Sequence, residues 1–272
     1  MTFFEKFSKI WRLFFENSLM STNRRLYLTR REFLKLSAAA LLATMTGNTF
    51  PALAQKAGYP ILYRGSRISP YAALTYDDCY LASLMLQLEE ILAAYPNVKV
   101  TFFPIGYALG NVERQKPGIW KRLFEKGHEF GYHAFGIDHF NAFTETVDSL
   151  HKDYENWYEV LTQVLESAPP VRFARPPFNA ISDTLLQMYA ERGLIPTQFS
   201  GGWSGDEVSA LAEIRKTRAG DIIQMHIRTE HIVNTRLGLE WHADKPLCFV
   251  TLSRLYQIYL SDLEKKERHQ RH

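Results

Sequence analysis

From about residue 70 to residue 265, short apolar runs alternate with longer stretches whose apolar residues recur every three or four positions. The runs that fit strands are Tyr71–Tyr76, Val98–Phe103, Glu129–Tyr132, Val171–Ala174, Leu194–Phe199, Asp221–Met225 and Leu247–Val250. Helical periodicity falls between them, at Leu81–Ala94, Ile119–Lys126, Glu145–Glu166, Ser182–Arg192, Asp206–Thr217 and Leu252–Lys265. In the third helix Val147, Leu150, Tyr154, Trp157, Leu161 and Val164 form one stripe, behind Thr144 as the expected N-cap.

Strand–helix alternation over this length implies right-handed crossovers and a mostly parallel sheet. An open doubly wound sheet and a closed β/α barrel both satisfy it. A dinucleotide site would place Gly-x-Gly-x-x-Gly after the first strand. That position holds Asp77-Asp78-Cys79-Tyr80 instead. Polar residues favour the barrel, whose active groups follow the C-terminal ends of strands. Asp77 and Asp78 follow the first strand, His133 the third, Arg175 the fourth, Trp203 the fifth and His226 the sixth.

Composition changes this picture only at the front of the chain. The 272 residues are 46% hydrophobic and 22% charged, with no low-complexity block. Thr29-Arg30-Arg31-Glu32-Phe33-Leu34-Lys35 resembles a twin-arginine export signal, and an alanine-rich apolar stretch from Leu36 to Met45 follows it. Ala52-Leu53-Ala54 then supplies a small-x-small cleavage site. The stretch is about half the ~20 residues that span a bilayer. The expected division is a signal over residues 1–54 and one catalytic domain over 55–272, exported to the periplasm or secreted, with no stable membrane span in the mature form. Ahead of the signal, Phe3, Phe4, Phe7, Ile10, Trp11, Phe14 and Phe15 would share one helix face, as an interfacial anchor or as residues upstream of a true start at Met20.

Charge follows the same division. The full chain carries +3, but eight of 32 Lys/Arg and three of 29 Asp/Glu lie in residues 1–54, leaving about −2. A nucleic-acid partner is not expected. Cys79 and Cys248 lack a Cys-x-x-Cys spacing and read as unpaired thiols.

The strand-end residues suit hydrolysis. Adjacent residues leaving a strand point in different directions, so of Asp77 and Asp78 one can ligate a cation while the other takes a proton from water. His133 and His139 are close enough in sequence to share that cation. Arg175 precedes Pro176-Pro177, which hold the chain extended, and can orient a carboxylate. His226 ends an apolar strand and suits a general acid near neutral pH.

Together these residues resemble the polysaccharide deacetylases (carbohydrate esterase family four). Ala73-Leu74-Thr75-Tyr76-Asp77-Asp78 is similar to that family's Thr-Phe-Asp-Asp-Gly motif, and Val100–Gly106 to its second strand. Gly127–His133 is similar to the approach to its metal-binding motif, and Arg175-Pro176-Pro177-Phe178 to its Arg-Pro-Pro-Tyr motif. Gly220–His226 resembles its last catalytic strand, and Phe249–Leu252 its closing strand. The resemblance implies a distorted (β/α) barrel of about seven parallel strands that removes an acetyl group from an N-acetylated glycan. It implies one divalent ion, zinc being expected, on Asp78, His133 and His139, with Asp77 as base, Arg175 holding it and His226 as acid. Tyr80, Phe178, Trp203 and Gln224 would line the substrate pocket, with the Tyr80 amide at the oxyanion; Trp203 could instead be core.

Three departures stand out. The family's second histidine lies four residues beyond the first, where this chain has Ile137. Either His139 reaches the metal through a longer loop, or Asp138 substitutes, or that ligand is missing. Cys79 replaces the motif glycine, so the turn carries a side chain or a thiol nears the metal. Gln224 stands where a leucine usually lines the acetyl pocket. Alternatives to the deacetylase are a non-catalytic carbohydrate-binding relative and a hydrolase of a non-sugar amide. The expected partners are the glycan and, for export, the twin-arginine machinery.

Overall fold

The computed structural model describes residues 60–270, so the signal, its cleavage site and the amphipathic stretch before Met20 lie outside the described residues. Seven strands alternate with helices in these residues. Strand β1 (Tyr71–Asp78) is followed by α1 (Ala82–Ala94), β2 (Thr101–Pro104), α2 (Gly106–Gln115), α3 (Ile119–Glu125) and β3 (Glu129–Phe130). Next come α4 (Val147–Leu165), β4 (Phe173–Ala174), a 3₁₀ turn (Pro177–Asn179), α5 (Asp183–Glu191) and β5 (Ile195–Pro196). The chain continues through α6 (Glu207–Lys216), β6 (Ile222–His226), α7 (Thr229–His242), β7 (Cys248–Phe249) and α8 (Leu252–Gln270).

Every ladder is parallel. One sheet runs β3-β2-β1-β6 and a second pairs β4 with β5. Single parallel bridges, Tyr132 to Ala174 and Gly201 to Ile223, join the two into a ring. The seventh strand does not extend the ring. Cys248 and Phe249 pair with Tyr71 and Ala72, while Phe249 O accepts the Lys99 amide at 3.1 Å, so β7 wedges between the entering ends of β1 and β2.

Strand alternation sorts side chains into two layers. Ala72, Leu74 and Tyr76 face the helices and join the larger core with Met85, Phe102, Trp120 and Trp157. Ala73 faces inward onto a plug of Leu62, Phe103, Phe173, Ile222, Leu252 and Leu255. Burial on both faces explains why β1 reads as a continuous apolar run. The inward row climbs from Ala73 through Thr75 to Asp77, so the plug closes one end and the carboxylate emerges at the other.

Helix starts obey local chemistry. Thr146, not Thr144, caps α4: its side chain accepts from the Ser149 amide, and Ser149 returns a bond to the Thr146 amide. Thr144 instead bonds Asn141 O in the preceding turn. Helices α2 and α7 have no counterpart among the predicted helices. The buried face of α7 includes His231, Asn234, Thr235 and His242, so it carries little apolar stripe. Helix α2 contains Gly106 and Gly110 and starts where its backbone must come close to the next loop. A Cβ on Gly106 would sit 2.4 Å from the Phe135 ring.

Candidate active site

The ring's open end carries the site. At the end of β1 the backbone turns left-handed at two successive non-glycine residues, Asp78 (φ 63°) and Cys79 (φ 65°). Such a conformation is strained for side-chain-bearing residues. It separates the two aspartates: Asp77 keeps the inward direction of the strand, while Asp78 swings toward the loop after β3. Cys79 thus occupies a glycine-like conformation with its side chain in the core. Its thiol donates to Tyr76 O at 3.4 Å, and burial, with Asp78 and Asp77 nearby, pushes its pKa well up. A protonated, inward thiol is not a metal ligand.

Asp78, His133 and His139 converge, with one donor atom from each lying within 4.8 Å of the others. Asp78 Oδ1 is 3.4 Å from His133 Nε2 and 3.0 Å from His139 Nε2, and the rings are 5.0 Å apart. His133 Nδ1 lies 2.7 Å from Arg175 O, so that nitrogen carries the proton and leaves the Nε2 lone pair toward the cluster. Burial disfavours ionisation of Asp78, but the two rings outweigh it and hold the carboxyl well below the usual range. Burial likewise opposes protonation of His133, and Asp78 and Asp77 reverse the balance. Two imidazoles and one carboxylate with room for further ligands fit a divalent ion of the zinc type.

The loop bearing the histidines is fixed from two sides. Gly106 and Tyr107 at the start of α2 donate to Ala134 O and Phe135 O, both at 2.9 Å. Asp153 on α4 accepts from the Tyr132 hydroxyl at 2.6 Å and the Phe135 amide at 2.8 Å, on either side of His133. His139 sits at φ 59°. Asp138 also reaches the cavity, but it is His139 that meets Asp78.

Asp77 is 1% exposed and faces the fully buried Arg175, whose Nη1 stands 3.3 Å from Oδ1 and 3.2 Å from Oδ2. The guanidinium also lies over the Phe103 ring, 4.8 Å from its centre. Gln224 adds a contact that sequence reasoning did not foresee: its Nε2 donates to Asp77 Oδ2 at 2.5 Å. The available signal was alternation, since Gln224 pairs with Thr75 and His226 with Asp77 across the β6–β1 ladder.

These groups open onto a cavity of about 540 Å³, also lined by Tyr80, Phe178, Asn179, His226 and Arg228. The Tyr80 hydroxyl donates to Asp78 Oδ2 at 3.3 Å. Phe178, 74% exposed, stands at the lip beside His139. The backbone amide of His226 donates to His231 Nδ1 at 2.8 Å, which braces the end of β6. Asn179 and Arg228 were not singled out from sequence.

Trp203 is the misplaced residue. It is fully buried away from the cavity, stacked on His242 and edge-on to Phe249, with Nε1 donating to Thr217 Oγ1 at 2.9 Å. The absence of a side chain at Gly238 makes room for its ring, because a Cβ there would lie 2.2 Å away.

The family model described as polysaccharide deacetylase matches residues 64–196, from before β1 to the end of β5. A peptidoglycan-N-acetylglucosamine deacetylase of Bacillus cereus is 29% identical over 173 residues, covering 62% of this chain and 60% of that protein. The peptidoglycan-N-acetylglucosamine deacetylase PgdA of Listeria monocytogenes is 27% identical over 174 residues, 55% of this chain but 34% of that protein. The polysaccharide deacetylase family is thus supported by both the family model and the relatives. The structure of the Bc1960 peptidoglycan N-acetylglucosamine deacetylase superposes with a TM-score of 0.62 at 24% identity, covering 73% of this chain and 94% of that one. A CE4 family pseudoenzyme from Bacillus anthracis also gives 0.62, at 18% identity, with 71% and 67% covered. These superpositions show an α/β fold with a parallel sheet. An enzyme and a pseudoenzyme fit equally well, so activity has to be argued from the side chains.

Proposed function

We propose that this chain is a metal-dependent deacetylase of an N-acetylated glycan, with peptidoglycan the leading substrate. The observation that supports this best is the junction of two intact half-sites: Asp78, His133 and His139 beside an Asp77 gripped by Arg175. A degraded, non-catalytic relative would not be expected to retain both.

Asp78, His133 and His139 would hold the ion, which when bound would supply Lewis acidity for the hydrolysis. Zinc is the expected identity. Asp77 takes the proton from the attacking water, with the Arg175 guanidinium beside it as its ion-pair partner. His226, on the cavity wall at the end of β6, delivers a proton to the departing amine. The Tyr80 amide serves the developing oxyanion. Phe178, exposed at the lip, offers an apolar face to a sugar ring.

The relatives' names carry the word peptidoglycan, which agrees with the export reading of residues 29–35 and 52–54. No helix among the described residues is long and apolar enough to cross a membrane. On the export reading of residues 29–35 and 52–54, the proposed location is periplasmic or secreted, after passage through the twin-arginine machinery. Exported protein should begin at Gln55, as N-terminal sequencing would read.

The decisive assay measures acetate release from chitooligosaccharides and peptidoglycan fragments by purified protein. Activity should vanish with a chelator and return with one equivalent of zinc. Chelator-insensitive hydrolysis, or release only from small non-sugar amides, would overturn the reading.

A further inference from the structure

We infer that Gln224 is a positioning residue that selects Oδ1 of Asp77 as the oxygen facing the reaction. The inference rests on Asp77 being the base and asks what fixes its orientation. Arg175 alone does not. Its Nε donates to Thr197 O at 2.9 Å, and its Nη2 to Thr75 Oγ1 at 3.2 Å and Gln198 O at 3.4 Å. Only Nη1 remains for Asp77, at almost equal distance from the two oxygens. A donor shared so evenly cannot distinguish the oxygens and restrains rotation of the carboxylate weakly. A forked, two-nitrogen contact would have done both.

Gln224 breaks that symmetry. Its amide nitrogen stands 2.5 Å from Oδ2, which leaves Oδ1 with a single contact at 3.3 Å. The amide orientation follows from chemistry, since the reversed side chain would set two acceptor oxygens against each other. The donor is itself held. Gln224 pairs with Thr75 in the β1–β6 ladder, and its backbone amide donates to Gly201 O at 2.9 Å. Oδ2 is consequently occupied by protein donors, and Oδ1 is the oxygen free to receive a proton from water.

Gln224→Leu keeps a similar volume and removes the donor. Steady-state kinetics should show kcat lower by about 10–100-fold, the range for losing an outer partner, with KM within about twofold and zinc content unchanged. Crystal structures should show one Asp77 carboxylate orientation in the wild type and a rotated or doubled one in Gln224→Leu. Gln224→Met, which also fills the site without a donor, should behave like the leucine variant. An unchanged kcat, or a loss confined to KM, would overturn the inference and assign Gln224 to substrate contact. So would an unmoved Asp77 in the variant. If the wild type releases acetate from nothing offered, the deacetylase reading fails, while the carboxylate orientations in the two structures still decide the role of Gln224.

Discussion

His133 and His242 are almost equally buried, at 4% and 7% exposed, and yet their surroundings push them in opposite directions. Burial lowers the pKa of His242, and only the Ile214 carbonyl, 3.2 Å from its Nε2, pulls the other way by a hydrogen bond. Its Nδ1 is buried without a partner, and its ring lies flat against Trp203. His133 also meets a burial penalty, but Asp78 and Asp77 more than reverse it, and both of its nitrogens face acceptors. One histidine is packing, the other a ligand candidate. Burial does not separate them; convergence with a carboxylate at an open cavity does.

The sharpest test sets one residue from each region side by side. His133→Ala should remove retained metal and cut turnover by more than about 100-fold, exceeding the cost of losing an outer partner, while the metal-free protein keeps its unfolding midpoint. Trp203→Ala should do the reverse. Emptying that buried site should cost about 3–5 kcal/mol in urea unfolding, while the folded fraction still binds zinc. A Trp203→Ala protein of normal stability with weakened glycan affinity would erase the contrast and return Trp203 to the pocket.

Within the open region the next effect separates two neighbours. His139→Ala should weaken zinc binding by at least about tenfold, because its Nε2 approaches Asp78 Oδ1. Asp138→Ala, one residue away and also at the cavity, should change zinc affinity little. Competition titration with a chromophoric chelator reads both, and equal losses would show that the cluster geometry misassigns the third ligand.

The strand ends were legible because they combine two local signals, an apolar run and a polar residue directly behind it. Asp77, Asp78, His133, Arg175 and His226 all have that form. Trp203 lacks that form, standing four residues past the fifth run, and misleads, because its position depends on Gly238 of a helix 35 residues further on. Helix α7 was invisible for a related reason, since His231, Asn234, Thr235 and His242 on its inner face remove most of the apolar stripe. The choice between Asp138 and His139 lies in a loop with no periodicity, where a turn at φ 59° decides which side chain points inward. The Gln224–Asp77 bond crosses 147 residues of sequence, and only the β1–β6 register brings its ends together. Chemistry attached to a single element could be read from the chain; of the contacts between elements, those of Asp78 with His133 and His139 and of Arg175 with Asp77 came only through the family resemblance, and that of Gln224 with Asp77 not at all.

His128 joins His242 among the histidines packed away from the cavity, and adds a test by pH. It is buried, its Nδ1 accepts from the Val100 amide at 3.2 Å, and burial, reinforced by Lys99 and Lys126, lowers its pKa from 6.5 to about 4. Between those values the unfolded chain binds a proton that the folded protein refuses. The contribution of His128 is therefore complete above pH 6.5 and is lost as pH falls through the window toward 4. Its ceiling is about 3 kcal/mol, from ~1.4 kcal/mol per unit. Unfolding curves of wild type and His128→Gln at pH 7, 5 and 4 isolate it, since other acid-sensitive groups cancel in the difference. The stability gap between the two proteins should shrink, or change sign, toward acid pH. Parallel curves would mean that His128 protonates freely inside the fold.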